Sequence, residues 1–239
     1  MVRFYLLRLL KDTIGHVILI GLPLVLITLM VSINRNVPEA PPVEVAALYI
    51  GLIYILMFQG FGAAYTFEGL EHDFFSPFKN RLLMSPLHPM RFVYANLLFS
   101  ILVSYAQSLV LLGYVWLVFG AQIPNLVGVL AVLLLGVVFA QLFAAWLIFV
   151  FKKAARAQLA ITLYIIGAMI LAGFFVPLPE SAFTRWARIY SSPLTWVHHA
   201  LYGFIEHRPE DVFLGVGLLS VGIVVVALWA ARLSKSVLS

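Results

Sequence analysis

Side chains able to do acid–base chemistry cluster in one short segment of the sequence. Glu68, Glu71, His72 and Asp73 lie within six consecutive positions. Carboxylates and a histidine gathered at one point could act as general acids and bases, for instance in an enzyme that modifies lipids. A charged loop exposed to water explains the same residues equally well. The residues alone leave both interpretations open.

Other patterns typical of catalysis or metal binding are missing from the sequence. It contains no phosphate-binding loop of the G-x-x-x-x-G-K-[ST] type and no H-E-x-x-H or G-x-S-x-G pattern. It has no cysteine, which excludes disulfides, cysteine-ligated zinc and thiol nucleophiles. His198 and His199 are adjacent and face different sides of a helix, which is poor metal-ligand geometry. We therefore expect no catalytic residue, metal or cofactor on this chain.

These residues are positioned by an unusually apolar chain. Of its 239 residues 63% are apolar and 10% are charged, and the mean hydropathy is +1.05. A soluble domain is about 45–50% apolar and about 25% charged. The net charge of +5 does not indicate nucleic acid, because the basic residues flank apolar runs instead of forming one patch. The composition predicts an all-α polytopic membrane protein and argues against a soluble enzyme.

Six apolar runs are long enough to cross a hydrocarbon core as helices, which takes about 20 residues each. The predicted spans are residues 14–33, 45–66, 92–119, 126–151, 158–176 and 212–231. The segments on one side carry 11 of the 15 Lys and Arg residues, and those on the other side carry 4. Because basic residues concentrate on the cytoplasmic side, both termini are predicted to be cytoplasmic. The default location is the cytoplasmic, or inner, membrane.

A polar stripe follows one face of the third predicted span. Asn96, Ser100, Ser104 and Ser108 are each four residues apart, with Gln107 beside them. This face therefore points to protein or to a cavity and not to lipid. The stripe could bind helices together, line a translocation path or form a dimer seam, and Gln59 in the second span has the same alternatives.

Two segments on the cytoplasmic side have patterns of their own. Residues 1–12 place basic side chains on one arc of a helix and leucines on much of the rest, which predicts an interfacial helix. Residues 67–91 form a predicted loop that mixes acids, bases and prolines. Within it, residues 78–85 can make two helical turns before Pro86 stops them. Such a helix, presenting Arg81, Leu82 and Met84, suits docking to a partner.

The predicted outer segment, residues 177–211, is too aromatic to lie loose in water. Pro193 splits it into residues 181–190 and 194–205, which as helices reach about 15 Å and about 18 Å. Neither crosses a core about 30 Å thick, so a re-entrant helix pair fits the lengths. The residues singled out in it are Trp186, Tyr190, Pro193, Trp196, His198 and Tyr202, with the aromatic and histidine side chains expected at the outer interface.

Three stretches in this order resemble a known family. Residues 80–87 read Asn-Arg-Leu-Leu-Met-Ser-Pro-Leu, just before the third span. Residues 172–179 read Ala-Gly-Phe-Phe-Val-Pro-Leu-Pro, and residues 192–196 read Ser-Pro-Leu-Thr-Trp. Within a six-span plan, the chain is similar to the membrane subunits of ABC-2-type exporters over essentially its whole length.

The resemblance implies a half-channel that pairs with a second permease copy and with cytoplasmic ATPase subunits, which would hold ATP and Mg. It implies a coupling helix seated in the ATPase, made of Lys79, Arg81, Leu82, Leu83, Met84, Ser85, Pro86 and Leu87. It places Glu68 and Glu71 near a cytoplasmic gate. It also implies that the outer helix pair closes the external mouth of the path.

The uncharged interiors of the spans favour export of an apolar or amphipathic substrate, such as a drug, a lipid or a peptide. Mid-span Asp, Glu, Lys and Arg are absent, whereas gradient-driven transporters usually place ionisable groups there. The alternatives kept are a secondary transporter or channel that works without an ATPase, and an intramembrane lipid-modifying enzyme.

Overall fold

Long helices make up most of the molecule. The computed structural model describes residues 13–84, 88–174 and 178–238, and this part of the chain contains helices and no strand. The predicted interfacial helix over residues 1–12 therefore lies outside the described residues, as do Ser85, Pro86 and Leu87. Six helices are long and apolar enough to cross a membrane, which confirms the predicted all-α class and number of spans.

The described elements are numbered here in chain order. Helix α1 comprises Thr13–His16, a π-helical turn Val17–Gly21 and Leu22–Asn34; the others are α2 Val43–Phe61, α3 Ala64–Phe74, α4 Phe78–Leu83, α5 Met90–Phe119, α6 Leu126–Phe151, α7 Ala154–Leu171, α8 Ala182–Tyr190, α9 Pro193–Ile205 and α10 Pro209–Leu238. The candidate spans are α1, α2 with α3, α5, α6, α7 and α10.

Close packing at glycines fixes the relative directions of the long helices. Along α2 and α3, Gly51 faces Val115 of α5, Gly62 faces Ser104, and Gly69 faces Asn96. The partner numbers fall as the glycine numbers rise, so α5 runs antiparallel to α2 and α3. By contrast, α10 runs parallel to α6, because Gly222 lies against Phe139 and Trp229 stacks near Trp146.

These directions sort the connections to two ends of the bundle. The end that holds residues 75–84, 88–89 and 152–153 and the last turn of α10 is called the basic end. The acidic end holds residues 35–42, 120–125, 172–174 and 178–208. The acidic end, with the first turns of α2 and α10, contains only four of the 15 Lys and Arg residues but six of the ten Asp and Glu residues. The two ends thus differ in the sign of their charge.

The two largest of three hydrophobic clusters in the described residues hold most of the bundle together. The first joins α1, α2, α5, α6, α9 and α10 and has Ile27, Ile55 and Leu133 completely buried. The second lies nearer the basic end, where α3, α4, α6 and α7 meet, and includes Phe74 and Ile161. A bundle built this way has its own interior despite the apolar surface that faces its surroundings.

The second span differs from its prediction over residues 45–66. Its helix breaks after Phe61, resumes at Ala64 and continues to Phe74, so the predicted loop begins eight residues too early. The reason is that Phe67, Leu70 and Phe74 recur at helical spacing and are all at most 1% exposed. Their burial in the second cluster stabilises the helix through the charged residues between them.

The fifth span also has other limits than residues 158–176. Helix α7 begins at Ala154 and ends at Leu171. Gly173 adopts a φ of +78°, and the N–H of Phe174 bonds to the carbonyl of Met169 at 3.0 Å. A glycine in the left-handed region closes a helix in this way because it has no Cβ to clash. Ala172, Gly173 and Phe174 therefore do not continue the helix of the span.

We expect the charge difference between the ends to set the orientation in a membrane. Since the chain has no cysteine, single cysteines at Asn80, near the basic end, and at Glu210, near the acidic end, can be labelled without background. In intact cells a membrane-impermeant maleimide should label Glu210→Cys and leave Asn80→Cys unlabelled until the membrane is opened. The reverse pattern would contradict the orientation.

Candidate functional site

Span two is interrupted in its middle, where Gly62 and Ala63 separate α2 from α3. A Cβ at Gly60 would collide with Ile165 of α7, and a Cβ at Gly62 would approach the Ser104 hydroxyl of α5. The two glycines let α2 lie against both neighbours at once. The break frees backbone groups from the helix, and in an apolar surrounding such groups need partners from elsewhere.

Gln141 of α6 supplies those partners. Its Nε2 donates to the carbonyl of Gly62 at 3.3 Å and to the Ser104 hydroxyl at 2.8 Å. Its Oε1 accepts from the Thr66 hydroxyl at 2.6 Å. Gln141 and Thr66 are both completely buried. One side-chain amide of α6 therefore bonds to α5, to the break at Gly62 and to α3. We call this group of four residues the Gln141 clasp.

A second amide, Gln59, lies in the turn of α2 before the break. Its Nε2 donates to the Ser108 hydroxyl at 3.1 Å and to the carbonyl of Leu133 at 3.3 Å. Ser108 in turn donates to the carbonyl of Ser104, one turn earlier in α5. Gln59 thus extends the polar contacts of the clasp toward the acidic end.

The predicted stripe on span three lies inside the chain. Exposure is at most 7% for Asn96, Ser100, Ser104 and Gln107. Side chains buried within one chain offer little surface to a second copy, so of the three alternatives their burial favours contacts between helices over a dimer seam. The structure brings Ser104 into the clasp, whereas Asn96 lies against Gly69. Asn96 Oδ1 and the Ser100 hydroxyl have no hydrogen-bond partner among the described residues.

Gln107 belongs to a separate polar group that joins the first three spans. Its Nε2 donates to the Tyr65 hydroxyl at 2.9 Å, and that hydroxyl lies 2.7 Å from Nδ1 of His16. His16 directly precedes the π-helical turn of α1. Sequence analysis did not find this group, and its only signal is a histidine and a tyrosine inside otherwise apolar runs.

Helices α8 and α9 form a hairpin at the acidic end. Each begins with the same serine–threonine capping box, Ser181 with Thr184 and Ser192 with Thr195. The two short helices that the sequence predicts are therefore present, and Pro193 is the first residue of α9. The His199 ring contacts the carbonyl of Arg188 at 3.2 Å and ties α9 back to α8.

The tip of the hairpin reaches the middle of the bundle. Pro193, Leu194 and Val197 line one small cavity together with residues of the long helices, namely Gln59, Gly60, Gly136, Tyr164 and Ile165. Of these, Gln59 and Gly60 lie just before the break in span two. The hairpin therefore extends about as deep as the Gln141 clasp, and neither of its helices crosses the bundle.

The aromatic residues of the hairpin divide between an inner and an outer face. The His198 ring lies 3.8 Å from that of Tyr202 and 4.5 Å from that of Phe174, and burial lowers the pKa of His198 well below its usual range. Trp196 packs over Gly222 of α10. These two were expected at an interface and instead lie between helices. Trp186 and Tyr190 remain exposed.

At the basic end, α4 turns one face to the bundle and the other away from it. Leu82 is 2% exposed and packs in the second cluster, whereas Met84 is 86% exposed. The prediction that Leu82 is presented to a partner is therefore wrong, because it completes the core under Phe74. Lys79 is half-buried, and the side chains of Arg81 and Leu83 are outside the described ones.

The acidic and histidine side chains of residues 68–73 have different surroundings and do not form one group. Glu71 Oε2 accepts the backbone N–H of Ala154 at 2.8 Å, and Asp73 contacts the His72 ring at 3.1 Å. Glu68 is exposed. The described residues contain no group of three acidic or histidine side chains that could hold a metal ion.

A groove of about 420 Å³ opens near the acidic end between α1 and α2. Its lining is mostly apolar and includes Met30, Ile53, Tyr54 and Phe174. Sequence analysis did not identify it, because the residues come from three distant segments and none has a distinctive spacing. The same Phe174 contacts His198, so the groove adjoins the hairpin.

A family model described as ABC-2 family transporter protein matches residues 32–232, most of the chain. The chain belongs to the ABC-2 transporter family. No curated protein and no solved structure gave a significant match. With six helices able to cross a membrane, this ABC-2 permease is a multi-pass membrane protein and a transport subunit.

The Gln141 clasp should contribute measurably to the stability of this ABC-2 permease. Gln141→Leu leaves the Thr66 and Ser104 hydroxyls without their amide partner. It also removes one of the two donors of the Gly62 carbonyl, which keeps only the Tyr65 N–H. Burying unpaired polar groups costs about 1–3 kcal/mol, so we expect the free energy of unfolding to fall by about this amount. Thermal unfolding in detergent measures it.

Ser220→Ala is the matched control for Gln141→Leu, since the Ser220 hydroxyl is exposed and bonds only within its own helix to the carbonyl of Val216. An unchanged melting temperature of Gln141→Leu, equal to that of the control, would show that the clasp does not hold the break.

Proposed function

We propose that this chain is the permease subunit of an ATP-driven exporter that moves an apolar or amphipathic substrate outward across the cytoplasmic membrane. The observation that carries the proposal is the family match over residues 32–232. ABC-2 permeases in general work with an ATPase subunit. In this proposal ATP and Mg bind to that separate ATPase, and a second permease copy completes the path.

The charge distribution supports an orientation with the basic end in the cytoplasm. Helix α4 then faces the compartment that supplies ATP. Its exposed face, with Asn80 and Met84, is the proposed docking surface. On the opposite face of α4, Leu82 packs against α3. A force applied to α4 therefore acts directly on α3, which is the part of span two nearer the basic end.

The groove near the acidic end supports the proposed substrate class. Its walls expose apolar side chains with a few polar groups, among them Asn34 and the Tyr54 hydroxyl. Such a surface favours ligands with a large apolar part and one polar end. The α8–α9 hairpin adjoins the groove through Phe174 and His198, which suits the role of closing the outer mouth.

Docking is tested by co-purifying the permease with its ATPase subunit. Met84→Asp places a charge on the exposed face of α4, and we expect at least a fivefold loss of bound ATPase with an unchanged melting temperature. Leu82→Asp buries a charge in the second cluster, so we expect it to lower stability in the absence of any partner.

Val127→Asp serves as the control, since Val127 is 78% exposed near the other end of the bundle. Normal assembly and normal ATP hydrolysis by Met84→Asp would remove α4 as the docking surface. A permease that transports alone in vesicles, with no ATPase present, would contradict the proposed function as a whole.

A further inference from the structure

We infer that Glu71 is a positioning residue that fixes span five to the lower part of span two, so that α3, α4 and the start of α7 move as one body. This inference rests on the proposed function. It concerns how a movement of α4 reaches the hairpin, and it gives Glu71 a role other than lining a cytoplasmic gate.

The start of α7 lacks a cap of its own. Helices α6 and α7 are joined by only Lys152 and Lys153, and Lys152 adopts the left-handed region with a φ of +57°. Lys153 occupies the N-cap position and makes no side-chain cap bond. A helix N-terminus carries free N–H groups and partial positive charge, so Lys153 and Arg156 are unfavourable there.

Glu71 supplies from another helix what the local sequence does not. Its Oε2 lies 2.8 Å from the N–H of Ala154, the first residue of α7. A charge-assisted bond of this length, from a carboxylate to a helix N-terminus, is among the stronger bonds that a side chain makes. It joins α3 to α7 at a point where only two residues separate α7 from α6.

The same side of α3 also carries α4. Leu82 packs with Phe67, Leu70 and Phe74 in the second cluster, which also contains Ala157 and Ile161 of α7. Phe74 in addition lies 6.2 Å, ring to ring, from Phe149 at the end of α6. Apolar packing and the Glu71 bond therefore hold α4, α3 and the first turns of α7 together.

The far ends of this body meet the parts that must move in transport. Helix α3 begins at the break in span two, where the two turn residues Gly62 and Ala63 separate it from α2. Helix α7 carries Tyr164 and Ile165 to the cavity at the hairpin tip, beside Leu194. A tilt of α4 about the break would thus displace α7 and, through it, the hairpin.

Spin-label distances in the complex with its ATPase test the linkage without a known substrate. Cysteine pairs at Glu68 and Leu163, and at Leu98 and Leu163, are placed on exposed positions of α3, α5 and α7, away from the proposed docking surface. On trapping with Mg-ATP and vanadate, the 68–163 distance should stay constant and the 98–163 distance should change. In Glu71→Ala we expect the second change to shrink at least twofold.

Two further variants separate linkage from simple stabilisation of α7. Glu71→Gln keeps an oxygen acceptor and should retain most of the distance change. Lys153→Ser gives α7 a local N-cap, so in the Glu71→Ala background it should restore the melting temperature and leave the distance change small. Glu210→Gln, at the acidic end, is the control for loss of a carboxylate.

A full distance change in Glu71→Ala, or its recovery through Lys153→Ser, would overturn the linkage and reduce Glu71 to a cap. Failure of the unsubstituted chain to bind the ATPase, or trapping without any change in either distance, would overturn the proposed function and the linkage together.

Discussion

A backbone carbonyl released by a helix break inside an apolar bundle must find a donor, and the arrangement of this permease depends on how that need is met. The carbonyl of Gly62 receives the Gln141 amide, which at the same time binds Ser104 and Thr66. Span two can therefore be interrupted in its middle, where an unbroken helix would satisfy its own backbone hydrogen bonds. The interruption divides the span into α2, which lines the groove, and α3, which carries α4.

The same requirement explains why polar residues gather where they do. Small and amide side chains on α5 and α6 line the seam around the break, and the two capping boxes close the starts of α8 and α9. Lipid offers no hydrogen bonds, so Gln141 and the two capping serines bond to backbone groups at the break and at the helix starts. The polar stripe of span three is in this sense part of the bundle and not of its surface.

Much of the fold was predictable because hydropathy and proline positions act locally. Six spans, an all-α class and a split outer segment follow from apolar runs and from Pro193. The break in span two did not follow, since a Gly-Phe-Gly sequence also fits a continuous helix. Leu82 was misassigned because the second cluster that buries it is assembled by packing and not by spacing. The bond between Glu71 and Ala154 could not be found for the same reason. The groove near Tyr54 was not foreseen for the same reason.

The paired capping boxes of the hairpin have a further consequence. Ser181 and Ser192 satisfy the first N–H groups of their helices with hydroxyls that belong to those same helices. The hairpin thus draws little on neighbouring helices to keep its shape. A unit of this kind can be displaced with its secondary structure intact. What resists the displacement is its packing, above all the close approach of the α9 backbone at Trp196 and Ala200 to Gly215 of α10.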